Sequence, residues 1–393
     1  MESITKSFNP PGESTATMVV ATTVVTTLAL ISFARYTLWP RKPQIIRGAL
    51  TTSVPQLSED EVAKVSYRLD HYPGARDVVT PYGNIRVYEF GPEDGRKVLL
   101  IHGISTSCMT LTDIANALVE KGCRVMMFDL FGRGFSDTPG DLPHDTRLFL
   151  TEILLVLASS PLSWTGNNAL SIIGYSLGGG IAANFAATFP DMVESLVFLA
   201  PSGLIRPENI GRMSRLIFTS GLVPERLLAW LTKARLRTPI DNAVSKRRPT
   251  AKKLLSPVED KADFVDVAVQ EALDPPTQQD PTPFELEVTR FVHWSIDYNE
   301  GFVPAMMSSI RYAPLMEQQQ YWRALAKRKP GSTAILLGRD DTLVQHEDYE
   351  EDALPMLGGR DNVFWRIVPG AHNFPFTHPQ SALAAIFEFW HME

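Results

Sequence analysis

Residues 171–182 read SIIGYSLGGGIA, a β-branched apolar run that gives way to small, helix-forming residues across a single serine, Ser176. A strand that turns sharply into a helix needs residues that tolerate a strained backbone, and Gly174 and Gly178 have no Cβ to clash there. The G-x-S-x-G spacing around Ser176 is that of an elbow that presents a hydroxyl at the end of a strand. A glycine-loosened turn with no chemistry has the same spelling, so the flanking sequence has to decide between the two.

Outward from the elbow, strand and helix patterns alternate. KVLLIHG (97–103), CRVMMFDL (123–130), ALSIIGYS (169–176) and VESLVFLAP (193–201) read as buried strands. LTDIANALVEKG (111–122), DTRLFLTEILLVLASS (145–160) and LGGGIAANFAATFP (177–190) read as the helices between them. Strands without a polar face, separated by helices, predict an α/β fold whose mostly parallel sheet is covered on both sides. Ahead of them, TPYGNIRVYEFG (80–91) carries a Gly-Asn turn signal and alternation, which predicts an antiparallel hairpin.

The rhythm breaks from Ser202 to about Pro314. There RLLAWLTKARL and FELEVTRFVHW have a helical period and DPPTQQDPTP interrupts it, so this stretch reads as a helical insertion. STAILLGRDD (332–341), a helix to about Leu357, NVFWRIVPGAH (362–372) and SALAAIFEFW (381–390) restore the alternation. The expected organisation is a tail, apolar segment and connector over 1–57, a core over 58–202, a helical cap over 203–314 and the rest of the core over 315–393.

The chain has a net charge of -7 with 21% charged residues, which gives a nucleic-acid partner no basic excess to work with. Cys108 and Cys123 are too few for a disulfide framework and lack metal-ligand spacing, so both read as reduced thiols. No Asn-x-Ser/Thr acceptor occurs. Near the start, MVVATTVVTTLALISFA (18–34) is uncharged and extends to Trp39 if Arg35 snorkels toward an interface. A membrane anchor, a cleaved signal peptide and a buried helix or strand compete for it. The 22 residues of 18–39 suffice to span, and the region before them lacks the net positive charge of a signal peptide. The expectation is a single-pass anchor. Arg35, Arg41, Lys42 and Arg47 follow it and place the catalytic domain on the cytosolic side.

A serine hydroxyl needs a base to take its proton, and the base needs a third group to orient it. LLGRDDTLV offers an acid after one late strand and PGAHNF offers His372 after the next. Asp341 re-enters an apolar segment directly, whereas Asp340 is better placed to cap the turn, so Asp341 is the expected acid with Asp340 its rival. His378 competes with His372 for the base, but Pro379 after it marks a helix start. Backbone donors for an oxyanion are expected at Leu177, first in its helix, and at Ile104, in the loop after HG.

HG at 102–103, DLFGRGFSD at 129–137, GYSLGG at 174–179, GRDD at 338–341 and GAH at 370–372, in this order, resemble the α/β-hydrolase family. The resemblance covers 80–393 apart from the insertion. It implies an eight-stranded sheet, a cap inserted after the sixth strand, and no cofactor or metal. Asp129 and Asp137 of DLFGRGFSD are assigned no catalysis. A serine at the elbow implies acyl chemistry on a small ester or related substrate, as in monoacylglycerol-lipase-like enzymes. A specialised-metabolite enzyme with a non-hydrolytic or carbon-carbon step, and a silent ligand-binding protein, are the alternatives.

Within the insertion, Lys233, Arg235, Arg237, Lys246, Arg247, Arg248, Lys252 and Lys253 face a single acid, Asp241, between 233 and 253. They read as a solvated face or as a surface for anionic membrane. Phe291, Trp294, Met306 and Met307 fall at helical spacings, as core residues or as lining of an acyl pocket.

Overall fold

The computed structural model describes residues 13–38, 44–210, 216–218, 225–236 and 282–392. The chain divides into two compact units, Met1–Pro43 and Gln44–Glu393.

Among the described residues the main sheet of the larger unit has eight strands: β1 (Ala75–Thr80), β2 (Gly83–Phe90), β3 (Lys97–Ile101), β4 (Arg124–Phe128), β5 (Leu170–Tyr175), β6 (Val193–Leu199), β7 (Thr333–Gly338) and β8 (Val363–Val368). Their order across the sheet is β8-β7-β6-β5-β3-β4-β2-β1. β1 and β2 run antiparallel to their neighbours, and all other pairs are parallel. Every residue of β5 and β7 is buried, as expected of central strands with helices on both faces. The α/β fold expected from the alternation is the fold observed.

The hairpin forms one step away from its expected turn. Thr80 pairs with Gly83, so Pro81 and Tyr82 make the two-residue connection and Asn84 already lies in β2. Proline presets the turn's φ, and the Thr80 hydroxyl closes it by donating to the Gly83 carbonyl at 2.6 Å and accepting from the Tyr82 N–H at 3.0 Å.

Helices α2 (Thr112–Glu120), α3 (Thr146–Ala158) and α4 (Leu177–Thr188) connect the central strands. Between β6 and β7 lie the helices α5 (Glu225–Leu236), α6 (Pro283–Tyr298) and α7 (Phe302–Tyr312). Thr282 starts α6 with a capping box: its hydroxyl accepts from the Glu285 N–H at 3.2 Å while Glu285 accepts from the Thr282 N–H at 2.7 Å. Phe291, Met306 and Met307 are buried, and Phe291 stacks on Trp294 with ring centroids 5.4 Å apart, as core residues do. Most of the basic run, from Arg237 through Lys253, lies outside the described residues. Further along the chain come α8 (Gln319–Leu325), α9 (His346–Met356) and the closing α10 (Pro379–Trp390).

The smaller unit contains a 26-residue helix, α1 (Glu13–Leu38). Among the described residues, no helix is long and apolar enough to cross a membrane, which corrects the single-pass anchor expected over 18–39. The uncharged, exposed stretch 18–33 lies within α1. It includes four threonines, and the hydroxyls of Thr22 and Thr23 return 2.8 Å to the carbonyls of Met18 and Val19. The basic flank is also reduced, because Arg47 pairs with Asp137 at 2.8 Å.

Candidate active site

Ser176 follows the last residue of β5 and precedes the first of α4, with φ 53° and ψ -118°. A non-glycine residue in that region carries strain on the order of 1–3 kcal/mol that its surroundings must hold. They hold it on both sides: the Ser176 N–H donates to the Leu199 carbonyl at 3.0 Å, and its carbonyl accepts from Gly179 at 2.9 Å and Ser202 at 2.9 Å. The glycines permit close approach. A Cβ on Gly174 would sit 2.7 Å from the Gly178 carbonyl carbon, and one on Gly178 would sit 2.7 Å from the His102 oxygen. The start of α4 therefore lies directly against the loop that follows β3.

Late in the chain, β7 and β8 end side by side, Gly338 paired with Val368, and deliver Asp341 and His372 to the same edge. His372 Nε2 lies 2.9 Å from Ser176 Oγ and its Nδ1 lies 2.8 Å from Asp341 Oδ2. All three side chains are buried. The other carboxylate oxygen of Asp341 accepts from the N–H groups of Leu343 at 2.9 Å and Val344 at 2.8 Å. Asp341 thus performs the turn capping expected of Asp340, while Asp340 is exposed and holds the loop through its own N–H, donated to the Gly370 carbonyl at 3.0 Å. His378 sits at the N-cap of α10 with proline next to it, away from this chain of hydrogen bonds. A hydroxyl in contact with an imidazole that a carboxylate orients can form a nucleophile at neutral pH.

Leu177 is the first residue of α4, where an N–H has no intrahelical acceptor and the dipole favours negative charge. Ile104 is buried in the loop after β3. His102 anchors that loop. Its Nε2 accepts from the Leu130 N–H at 3.0 Å, which leaves the proton on Nδ1 to donate to the Gly103 carbonyl at 2.9 Å. Burial, then the nearby Arg133 cation, lower its pKa to about 3, so the ring is neutral at physiological pH.

Asp129 and Asp137 both bind backbone rather than face Ser176. Asp129 accepts from the N–H groups of Cys108 and Phe135, each at 3.1 Å, and burial raises its pKa to about 6. Asp137 accepts from Gly48 at 2.7 Å and Asn84 at 2.9 Å. Cys108 and Cys123 are free and buried. Among the described residues, no group of three or more His, Cys, Asp or Glu side chains could hold a metal ion. A cleft of about 770 Å³, lined in part by Arg96, Asp191 and Arg328, lies at the opposite end of the sheet, where β6 and β7 begin, and takes no part in this site.

A family model described as alpha/beta hydrolase fold matches residues 97–379, well over half of the chain. A serine hydrolase-like protein of Danio rerio is 32% identical over 33% of this chain, a match that spans only 38% of that protein's length. The crystal structure of carboxylesterase CesB from Bacillus subtilis superposes with a TM-score of 0.56 at 17% identity, covering 84% of this chain and 96% of the esterase. That of a bromoperoxidase from Bacillus anthracis gives 0.54 at 18% identity, covering 81% and 99%. At such identities the two structures establish the likeness of fold.

Proposed function

The chain belongs to the α/β-hydrolase fold family, and from that premise we propose that it is a serine hydrolase that cleaves an ester or related acyl bond of a small apolar substrate. The observation that carries this reading is the hydrogen-bonded series Asp341–His372–Ser176, with separations of 2.8 and 2.9 Å. His372 Nε2 takes the Ser176 proton as Oγ attacks the acyl carbon, and Asp341 stabilises the imidazolium through Nδ1–H. The N–H groups of Leu177 and Ile104 receive the oxyanion. Collapse expels the alcohol, protonated by His372, and leaves an acyl-serine. Water, activated by the same imidazole, then releases the acid and restores the hydroxyl.

The relative's printed name, serine hydrolase-like, and the esterase among the structural neighbours support the choice of an acyl bond. Residues 18–33 of the helix Glu13–Leu38 add a second element to the reading. Val19, Val25, Leu30 and Phe33 are each at least 60% exposed, an uncharged apolar surface that supports association of this segment with a membrane. The cytosolic placement of the catalytic unit rests on the sequence alone.

The test is a panel of p-nitrophenyl esters from acetate to palmitate, with thioesters and aryl amides alongside, and mass spectrometry to trap acylated Ser176. Turnover with an acyl adduct on Ser176 supports the reading. Tight ligand retention without turnover points to a silent binding protein, and a product of unchanged mass points to a non-hydrolytic step.

A further inference from the structure

The turn Asp129–Asp137 lies between the loop after β3 and the cap helix α7, and Arg133 reaches all three. Its side chain is fully buried. Nε donates to the Ile104 carbonyl at 2.9 Å, Nη1 to the Phe131 carbonyl at 3.0 Å within the turn, and Nη2 to Ser309 Oγ at 2.8 Å on α7. The Ser309 hydroxyl spends its own proton on the Ala305 carbonyl at 2.9 Å, so its oxygen is fixed as the acceptor for Arg133. The helix presses on the turn at the same place, where a Cβ on Gly132 would come within 3.0 Å of the Gly301 carbonyl.

A buried cation is costly to keep, and apolar side chains of similar volume often pack as well or better in such places. Stability alone therefore gives little reason for an arginine here. A guanidinium does offer a planar fork that can hold separate acceptors in fixed directions, which a lysine ammonium cannot reproduce. We infer that Arg133 is a positioning residue that fixes the Ile104 carbonyl, and with it the oxyanion loop, relative to cap helix α7. By immobilising the peptide on one side of Ile104 it limits the rotation of the residue whose N–H, on the other side, receives the oxyanion. Movement of α7 on the core would reach that N–H through Ser309 and the guanidinium. The inference rests on the serine-hydrolase reading of Ser176.

The full-length protein and its R133M, R133K and S309A variants are compared in four measurements: labelling by a fluorophosphonate, kcat and KM for p-nitrophenyl butyrate, inhibition by a butyl boronic acid, and melting temperature. A displaced oxyanion donor lowers kcat by roughly 10²-fold in R133M, with KM changed less than about 3-fold. Boronate affinity, which reads the tetrahedral anion, falls in parallel with kcat/KM. R133K recovers part of the loss, and S309A, which loosens only the link to α7, loses about 3- to 10-fold in kcat with a lowered melting temperature, because the buried Nη2 loses the Ser309 hydroxyl as an acceptor. Wild-type kcat and boronate affinity in R133M, or in R133K and S309A if R133M does not fold, would overturn the assignment even if melting is lowered. A wild-type protein that takes no label on Ser176 overturns the hydrolase reading itself, a result distinct from either.

Discussion

Gly178→Ala is the smallest change that should separate the two halves of the site. An added Cβ would lie 2.6 Å from the Ile101 carbonyl carbon and 2.7 Å from the His102 oxygen, and would overlap the Ile101 oxygen as well. All three are backbone atoms. Ordinary contact needs about 3.4 Å, so α4 and the loop after β3 must part by on the order of 1 Å, an overpacking worth roughly 1–3 kcal/mol. For the ~350 residues of the larger unit that amounts to a fall in melting temperature of up to about 4 °C. The same displacement separates the Leu177 and Ile104 N–H groups, and misplacement of ~1 Å can cost about 10²-fold in turnover. Gly122→Ala is the control, because nothing lies within 4 Å of its Cβ position and only its φ of +81° penalises the substitution. Ester turnover and thermal melting are measured on both variants. Gly178→Ala with wild-type kcat would refute the close approach of helix and loop as a catalytic requirement. Equal activity losses in the two variants would show a backbone effect instead.

Asp341→Asn should lower kcat by about 10⁴-fold, because it loses the charge that holds the imidazolium, whereas Asp340→Asn should stay near wild type. Steady-state kinetics on the pair reverses the assignment if the losses reverse. His144 is buried with a pKa lowered to about 3 by desolvation and then by Arg133, so unfolding takes up a proton between pH 6.5 and 3. Its contribution is whole above pH 6.5 and is lost as pH falls toward 3. His144→Gln should therefore gain on the wild type by up to about 1.4 kcal/mol per pH unit across that window, and denaturant titrations at pH 7, 5.5 and 4 that show a constant difference would contradict it.

The parts of the fold that the sequence made legible are those where local pattern and tertiary role agree. The largely apolar runs of β5 and β7 read as buried strands, and the glycines around Ser176 mark an approach of backbone to backbone. His372 and Asp341 were readable as candidates because each follows within a few residues the end of one of two late strands, which pair side by side. Strand-end placement is only part of what Asp341 does, since one carboxylate oxygen caps the turn while the other orients the histidine. Long-range partners were hidden. Nothing near Arg47 in the sequence announces Asp137, and Arg133 sits in a glycine-rich turn with no local sign that it reaches α7. The signal that could have found Arg133 is a lone cation set among Leu130, Phe131 and Phe135 in that nine-residue turn. At the N-terminus, absence of charge over 18–34 suggested a span, yet threonines able to bond their own helix fill part of that length.

The central claim is that Ser176, activated by His372, is a nucleophile, and active-site labelling with a fluorophosphonate tests it most directly. The intact protein should take up one phosphonyl group, located on Ser176 by peptide mass mapping. Ser176→Ala should take up none at an unchanged melting temperature, and His372→Ala should label slower by on the order of 10³-fold or more, since the members of a triad act as a unit. Labelling that survives Ser176→Ala, or proceeds at wild-type rate without His372, would contradict the account.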